Sequence, residues 1–283
     1  MTKTNDKSSD LESEVDVVSL SAARAMHGLL NCEGPLPLPD DWIPPLWHWL
    51  AFLPRTAQKD LGLDGHPKRT VESRPNIYPQ RMFAGARISF SAPAMIGQTL
   101  RRQSHIVSSI EKSGRSGPLM ILTTENKIEC NGVMAITESQ DIVYRGLPSP
   151  RTEPLVDVPP LLEPPWSWTK EVDLDPTLLF RFSALTYNAH RIHYDRRYAQ
   201  DHEGYPGLVV HGPLQAVLLS ELCCTNVTDE VMTSFEFRSH RPAFDGGQLH
   251  LRGRREGSNA TLNAFDDQSQ LTMSAIATLA SSY

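Results

Sequence analysis

Residues 181–219 read RFSALTYNAHRIHYDRRYAQDHEGYPGLVVHGPLQAVLL. An amphipathic run leads into a polar, histidine-rich turn holding Tyr187, Asn188, His190, Arg191, His193 and Asp195. Gly207-Leu-Val-Val-His-Gly212 then opens an apolar helix, with Pro213 in its first turn, where its missing N–H costs nothing. The turn can move a proton. The helix start offers free backbone N–H groups, which welcome a developing negative charge. A proton shuttle beside an oxyanion site is what chemistry next to a carbonyl requires.

Working outward, the apolar helix continues to Cys224, and strand-like runs follow at Thr233–Arg238, Gln248–Glu256, Ala260–Asp266 and Leu271–Leu279. Ser258–Asn259 and Asp267–Gln268 mark hairpin turns between them. Upstream, residues 146–170 carry seven prolines, which excludes a regular helix or a central strand. Before that stretch the plan repeats. Asp41–Leu53 is an apolar helix candidate that tolerates Pro44 and Pro45 in its first turn. Strand-like runs at Ala84–Ser91, Thr99–Glu111, Leu119–Ile128 and Val133–Tyr144 follow, with turns at Ser113–Gly117 and Asn131–Gly132. The expected class is α+β with two similar halves. The expected organisation is a flexible tail over 1–34, an N-terminal half over 35–146, a proline-rich linker over 147–170 and a C-terminal half over 171–283.

The bulk numbers narrow the function. In 283 residues, 40% are hydrophobic and 21% charged, a globular balance with room for two domains. A net charge of −6 argues against nucleic acid as a partner. No apolar run reaches the length of a membrane span, and the polar first fifteen residues lack a secretory core or a transit-peptide character. Cys32, Cys130, Cys223 and Cys224 show no metal spacing and read as free thiols of a cytoplasmic protein.

The run Ser183–Ala199 resembles the signature of the MaoC-like, type-2 enoyl-CoA hydratases, with Thr186, Tyr187, Asn188, His190, Arg191, Ile192, His193 and Ala199 in the pattern's places. It is most similar to a two-domain branch, the hydroxyacyl-thioester dehydratases and mesaconyl- or itaconyl-CoA hydratases, which carries Asn-x-His-Arg-Ile-His-Tyr-Asp as here. Further branch-like pieces are Pro45–Trp49, Asp64-Gly-His-Pro67, Arg115–Gly117, Gln140–Arg145 and Phe237–Pro242. The resemblance spans roughly residues 35–280 and implies a double hotdog: two antiparallel sheets, each wrapping a central helix. One departure matters. Asn188 stands where the wider pattern has Asp, and a carboxamide cannot ionise.

The resemblance implies a hydro-lyase acting on an acyl-CoA, coenzyme A being part of the substrate and no other cofactor or metal being needed. His193 is the expected general base, Asn188 the residue that holds the water, and Gly212 the oxyanion donor. His190, Asp195 and His211 are candidates for a supporting shell, with His190 or Asp195 placed to replace the missing carboxylate. Arg191, Arg196, Arg197, Arg238 and Arg241 are candidates for CoA phosphates or for a substrate carboxylate. The arginines favour a short dicarboxylic enoyl-CoA of the itaconyl or mesaconyl type. Three alternatives stay open: a fatty 3-hydroxyacyl-thioester dehydratase, a non-catalytic acyl-thioester-binding subunit, and a thioesterase. A homodimer is compatible with the resemblance. Trp47, Trp49 and Phe52 are read as core of the first helix, with a share in the acyl pocket as the other reading.

Overall fold

The computed structural model describes residues 12–68, 80–114, 117–145 and 165–281. Among these residues, ten strands form one antiparallel sheet. In chain order they are β1 (Glu12–Asp16), β2 (Gln80–Phe90), β3 (Leu100–Gly114), β4 (Gly117–Cys130), β5 (Val133–Arg145), β6 (Trp168–Asp173), β7 (Glu230–Ser239), β8 (Gln248–Glu256), β9 (Asn259–Phe265) and β10 (Leu271–Ser281). Their order across the sheet is β1-β3-β4-β5-β2-β7-β10-β9-β8-β6. Reflected about the middle, β2 to β5 answer to β7 to β10, and β1 answers to β6. The expected repeat is thus present as a joint sheet.

The seam is the pairing of β2 with β7, from Gly85 opposite Arg238 to Ser89 opposite Ser234. Gly85 sits at a register shift of β2, and a Cβ there would run into the carbonyl oxygen of Phe237. Only glycine lets the two halves close to this spacing.

Among the described residues, four α-helices accompany the sheet: α1 (Leu20–Leu30), α2 (Pro176–Leu185), α3 (Arg196–Asp201) and α4 (Gly212–Asn226). Residues 214–220 of α4 are buried without interruption, so the helix has no solvent face over two turns. A helix apolar all round must be enclosed, and α4 packs on β7, β8, β9, β10, β2 and β6. Truncating Leu218 or Leu219 there should cost about 2–5 kcal/mol. The buried Gln215 is tolerated because its Oε1 accepts from Thr272 Oγ1 at 2.7 Å.

Two expectations need correction. Residues 12–34 are not a loose tail: β1 pairs with β3, and α1 is a capped helix. Ser19 accepts from the Ala22 N–H at its start, and Asn31 closes it in the left-handed conformation at φ 51°. Ala23, Met26, Leu29 and Leu30 form its buried stripe, at a helical spacing that the polar residues before it obscure. Conversely, Asp41–Leu53 is no helix beyond a 3₁₀ turn at Trp47–Leu50. Leu46 at φ 71° and Phe52 at φ 56° interrupt any helical path. Leu46, Trp47, His48 and Leu50 are all buried, so this stretch is apolar because it plugs the core, not because one face of a helix does. Trp49 lines the large cavity, whereas Trp47 lies in the core.

Most of the proposed linker, residues 147–164, lies outside the described residues, and its last three positions belong to β6. Among the described residues, no helix is long and apolar enough to cross a membrane.

Candidate active site

The site grows from the end of α2. Asp175 caps that helix through the N–H groups of Thr177 and Leu178, and Pro176 opens it. The chain then reverses through Tyr187 at φ 49°. Asn188 donates its N–H to the Ser183 carbonyl at 2.8 Å, and its Oδ1 accepts the His190 N–H at 3.0 Å. This side-chain turn sets His190 at the start of a 3₁₀ turn, Arg191–His193. Asn188 therefore has a structural task, and its side chain also lines the cavity.

His193 is buried, and its Nδ1 lies 2.7 Å from the Val209 carbonyl. A carbonyl can only accept, so Nδ1 carries the proton and Nε2 keeps its lone pair. The His211 ring stacks on His193 with centroids 3.7 Å apart, and His190 stands edge-on at 5.4 Å. His211 occupies the N-cap position of α4 and shares a hydrogen bond with the Ser183 hydroxyl at 2.8 Å.

Burial away from water pushes the His193 imidazolium down to about 4, with the neighbouring His66 adding to it and the Val209 carbonyl opposing it. Burial, then His66 and His193, hold His190 at about 2. His211 is held well below the usual imidazole range by burial and by the other two rings. All three rings are neutral at pH 7, and His193 is fit to accept a proton.

These groups face a cavity of about 700 Å³. Gly212 lines it at the N-terminus of α4, where its N–H has no partner within the helix. A Cβ on Gly212 would come within 3.5 Å of the Ser239 hydroxyl and 3.8 Å of the Phe83 ring, so the bare backbone opens to this space. Ser239 also lines the cavity, and its buried hydroxyl has no hydrogen-bond partner.

The other expected residues divide. Asp195 does not supply the missing carboxylate: it caps α3 through the Tyr198 N–H at 3.0 Å and pairs with Arg191 at 2.7 Å. Arg191 is engaged there, by the Leu63 carbonyl and over the Tyr198 ring. Arg196 pairs with Asp245. Arg197 and Arg238 are exposed and outside the cavity wall, and of the five expected arginines only Arg241 lines it.

Two residues from the N-terminal half were not foreseen. His66 packs on His190 with ring centroids 4.2 Å apart, and Arg81 lines the same wall. Arg81 Nη1 donates to His66 Nε2 at 2.9 Å, which leaves His66 Nδ1 to donate to Asp64 at 3.3 Å. Burial raises the Asp64 carboxyl, but the hydrogen bonds from His66 outweigh it and bring it to about 2. The loop carrying these groups docks on the turn that holds Asn188, His190 and His193. Arg191 N–H donates to the Asp64 carbonyl at 2.9 Å, and a Cβ on Gly65, at φ 88°, would collide with the Ala189 carbonyl. Asp64, His66 and His190 bring potential metal ligands within 4.8 Å of one another. However, both ring nitrogens of His66 are engaged, and a guanidinium cation already stands beside it. The Asp64-Gly-His-Pro67 string was the available signal, but no spacing within it announces contact with residue 190.

The sequence matches the hydroxyacyl-thioester dehydratase type 2 family over residues 46–245. A mesaconyl-C4-CoA hydratase from Chloroflexus aurantiacus is 48% identical over 262 residues, 92% of each chain. The mitochondrial hydroxyacyl-thioester dehydratase type 2 of Schizosaccharomyces pombe is 27% identical over 237 residues, 73% of this chain and 76% of its own. A MaoC-like dehydratase from Phytophthora capsici shares the fold with a TM-score of 0.73 at 14% identity, over 97% of this chain and 96% of its own. A double-hotdog protein from Mycobacterium tuberculosis gives 0.56 at 13% identity, over 96% of this chain and 97% of its own. The sheet and its enclosed helix are a double hotdog.

Proposed function

The chain belongs to the hydroxyacyl-thioester dehydratase type 2 family, within the MaoC-like hydro-lyases, and we propose that it adds water to a short dicarboxylic enoyl-CoA of the mesaconyl-C4 type. The reverse reaction, loss of water from the 3-hydroxyacyl thioester, uses the same groups. The observation that carries this reading is the pairing of a neutral His193, Nε2 lone pair intact, with the open N-terminus of α4 at Gly212 in one cavity.

Water held near Asn188 attacks Cβ as its proton passes to His193 Nε2. The double-bond electrons move toward the thioester carbonyl, and the Gly212 N–H stabilises the resulting enolate oxygen. The His193 imidazolium then gives its proton to Cα, so water is added and the base is restored. No carboxylate is needed at position 188. The Asn188 turn aims the histidine, and the low dielectric that keeps His193 neutral also strengthens the oxyanion contact.

The 48% identical relative supports the dicarboxylic substrate, and the four unpaired cysteines support a cytoplasmic setting. The yeast relative favours a second reading, a 3-hydroxyacyl-thioester dehydratase of fatty-acid synthesis. The test is to incubate the purified chain with mesaconyl-C4-CoA, crotonyl-CoA and a medium-chain enoyl-CoA and follow the masses. We expect mesaconyl-C4-CoA to gain one water fastest, without release of free CoA thiol. Preference for the medium-chain substrate would move the chain to the second reading, and thiol release without hydration would reject both.

A further inference from the structure

Arg81 is a cation in an acyl cavity without an anion. It lines the cavity and is half-buried, and its Nε is shielded from solvent without a hydrogen-bond partner. Its Nη1 donates to a ring nitrogen, His66 Nε2, not to a carboxylate. Among the described residues no carboxylate pairs with it. The nearest acid of the network, Asp64, stands beyond His66 and is engaged by the His66 side chain and backbone N–H. By contrast, Arg191 and Arg196 are each neutralised by an aspartate, and the other cavity arginine, Arg241, is held by Gln270. A partly desolvated guanidinium is costly unless an anion meets it.

Its position fits one end of a short acyl chain. Arg81 and Phe83 lie two residues apart on one face of β2, opposite Tyr144 and Ile142 of β5. Two strand residues span about 7 Å. Phe83 is the residue whose ring and carbonyl would meet a Cβ on Gly212 at 3.8 Å, so it marks the thioester end. The carbonyl carbons of a four-carbon chain lie about 4 Å apart, and a hydrogen bond at each end adds about 3 Å. A thioester oxygen on Gly212 would therefore direct a four-carbon chain's free carboxylate along β2 toward the Arg81 end of the cavity. A longer monocarboxylic chain would press its methyl end on a cation.

We propose that Arg81 receives the free carboxylate of the substrate's acyl group, so that β2 of the N-terminal half selects a dicarboxylic acyl-CoA. This rests on the hydratase reading above and assigns its selectivity to a residue outside the catalytic turn. Arginine suits the task because its planar fork can meet both carboxylate oxygens.

The test compares wild type, Arg81→Gln, Arg81→Lys and Arg241→Gln on mesaconyl-C4-CoA and on crotonyl-CoA, which has the same CoA and a methyl end. Circular dichroism and thermal melting check that each variant folds. Arg81→Gln should lower kcat/KM for mesaconyl-C4-CoA on the order of 10²-fold, chiefly through KM. Its loss on crotonyl-CoA should stay below about tenfold, so the ratio of the two substrates shifts. Arg81→Lys should recover part of the dicarboxylic activity. Equal losses on both substrates would overturn the assignment, giving Arg81 to coenzyme A or to the fold. So would a ratio shift that follows Arg241→Gln instead. If wild type hydrates neither substrate, the hydratase reading falls first and this one with it. If it hydrates only crotonyl-CoA, hydration stands and the carboxylate receptor is rejected.

Discussion

Each half of the sheet contributes five strands in the same order, yet the two halves enclose different things. The C-terminal half closes around α4, fifteen residues of continuous helix whose first residue, Gly212, opens on the cavity. The N-terminal half has no counterpart of that length between α1 and β2 among the described residues, only irregular chain and two short 3₁₀ turns. The regular half holds a helix terminus and a buried histidine at fixed positions, as proton transfer and charge stabilisation require. The irregular half supplies cavity wall: Trp49, residues of the 54–67 loop, Arg81 to Phe83 and Gln140. Irregular backbone can take many shapes because it need not keep a helical repeat. On the proposed function, the comparison teaches a division of labour, with proton transfer on one side of the β2–β7 seam and acyl recognition on the other.

The largest effect that could break this division is at His193. His193→Ala should lower kcat by on the order of 10²–10⁴, the range for a general acid–base group. KM should change little, and the melting curve should stay cooperative, since the ring's one hydrogen bond is to a single carbonyl. Near-wild-type turnover in this variant would take the chemistry out of the C-terminal half.

Acid separates the halves in another way. His193 has a folded-state pKa of about 4, below the ordinary 6.5, so the unfolded chain binds the extra proton. Stability then falls as pH drops below 6.5, by about 3 kcal/mol from His193 alone once pH is under 4. His190 extends the loss toward pH 2. The N-terminal half carries the opposite kind of group. Glu138 is fully buried. Burial raises its carboxyl, but the His48 ring beside it, Gln140 and the hydrogen bond from Trp49 bring it down to about 2. Its contribution is whole above 4.5 and is lost as pH falls toward 2. Urea titrations should therefore show a first loss of stability between pH 6.5 and 4, which a Glu138→Gln variant leaves in place. The acid limb of kcat/KM should fall near 4, not near 6.5. A flat stability curve down to pH 5 would mean the histidines are not buried as described.

Much of this plan is legible in the chain. The strands after residue 80 announce themselves by β-rich runs and by turns such as Asn131–Gly132, whose φ values of 49° and 82° suit an asparagine–glycine pair. The α4 segment and its histidine turn are local in sequence, so their chemistry can be read there. The residues that escaped reading are those that distance brings together. His66 reaches His190 across more than a hundred residues, and Arg81 enters the cavity only because β2 pairs with both β5 and β7. Residues 41–53 misled because continuous apolarity carries no period, and a core plug and a buried helix then look alike.

The smallest expected effect sharpens the comparison within the histidine turn. Asn188→Asp keeps the oxygen that accepts the His190 N–H, so its melting temperature should stay within a few degrees of wild type. The added charge should favour imidazolium and raise the His193 pKa, moving the acid limb upward. Asn188→Ala removes that acceptor and should cost about 1 kcal/mol. A silent Asp variant, in rate and in pH profile, would limit position 188 to shaping the turn.

The seam between β2 and β7 has a consequence for how such a protein can change. On the proposed reading, reaction and recognition fall to separate segments of the chain, joined by a few backbone pairings that tolerate side-chain exchange wherever no close approach demands glycine. Random mutation confined to residues 49–67 and 80–83 should therefore yield descendants that accept new acyl groups while inheriting the same proton transfer. Mutation confined to residues 183–215 should yield mostly inactive ones. In the language of adaptation, the proposed division would let the acyl pocket change while the proton transfer is kept.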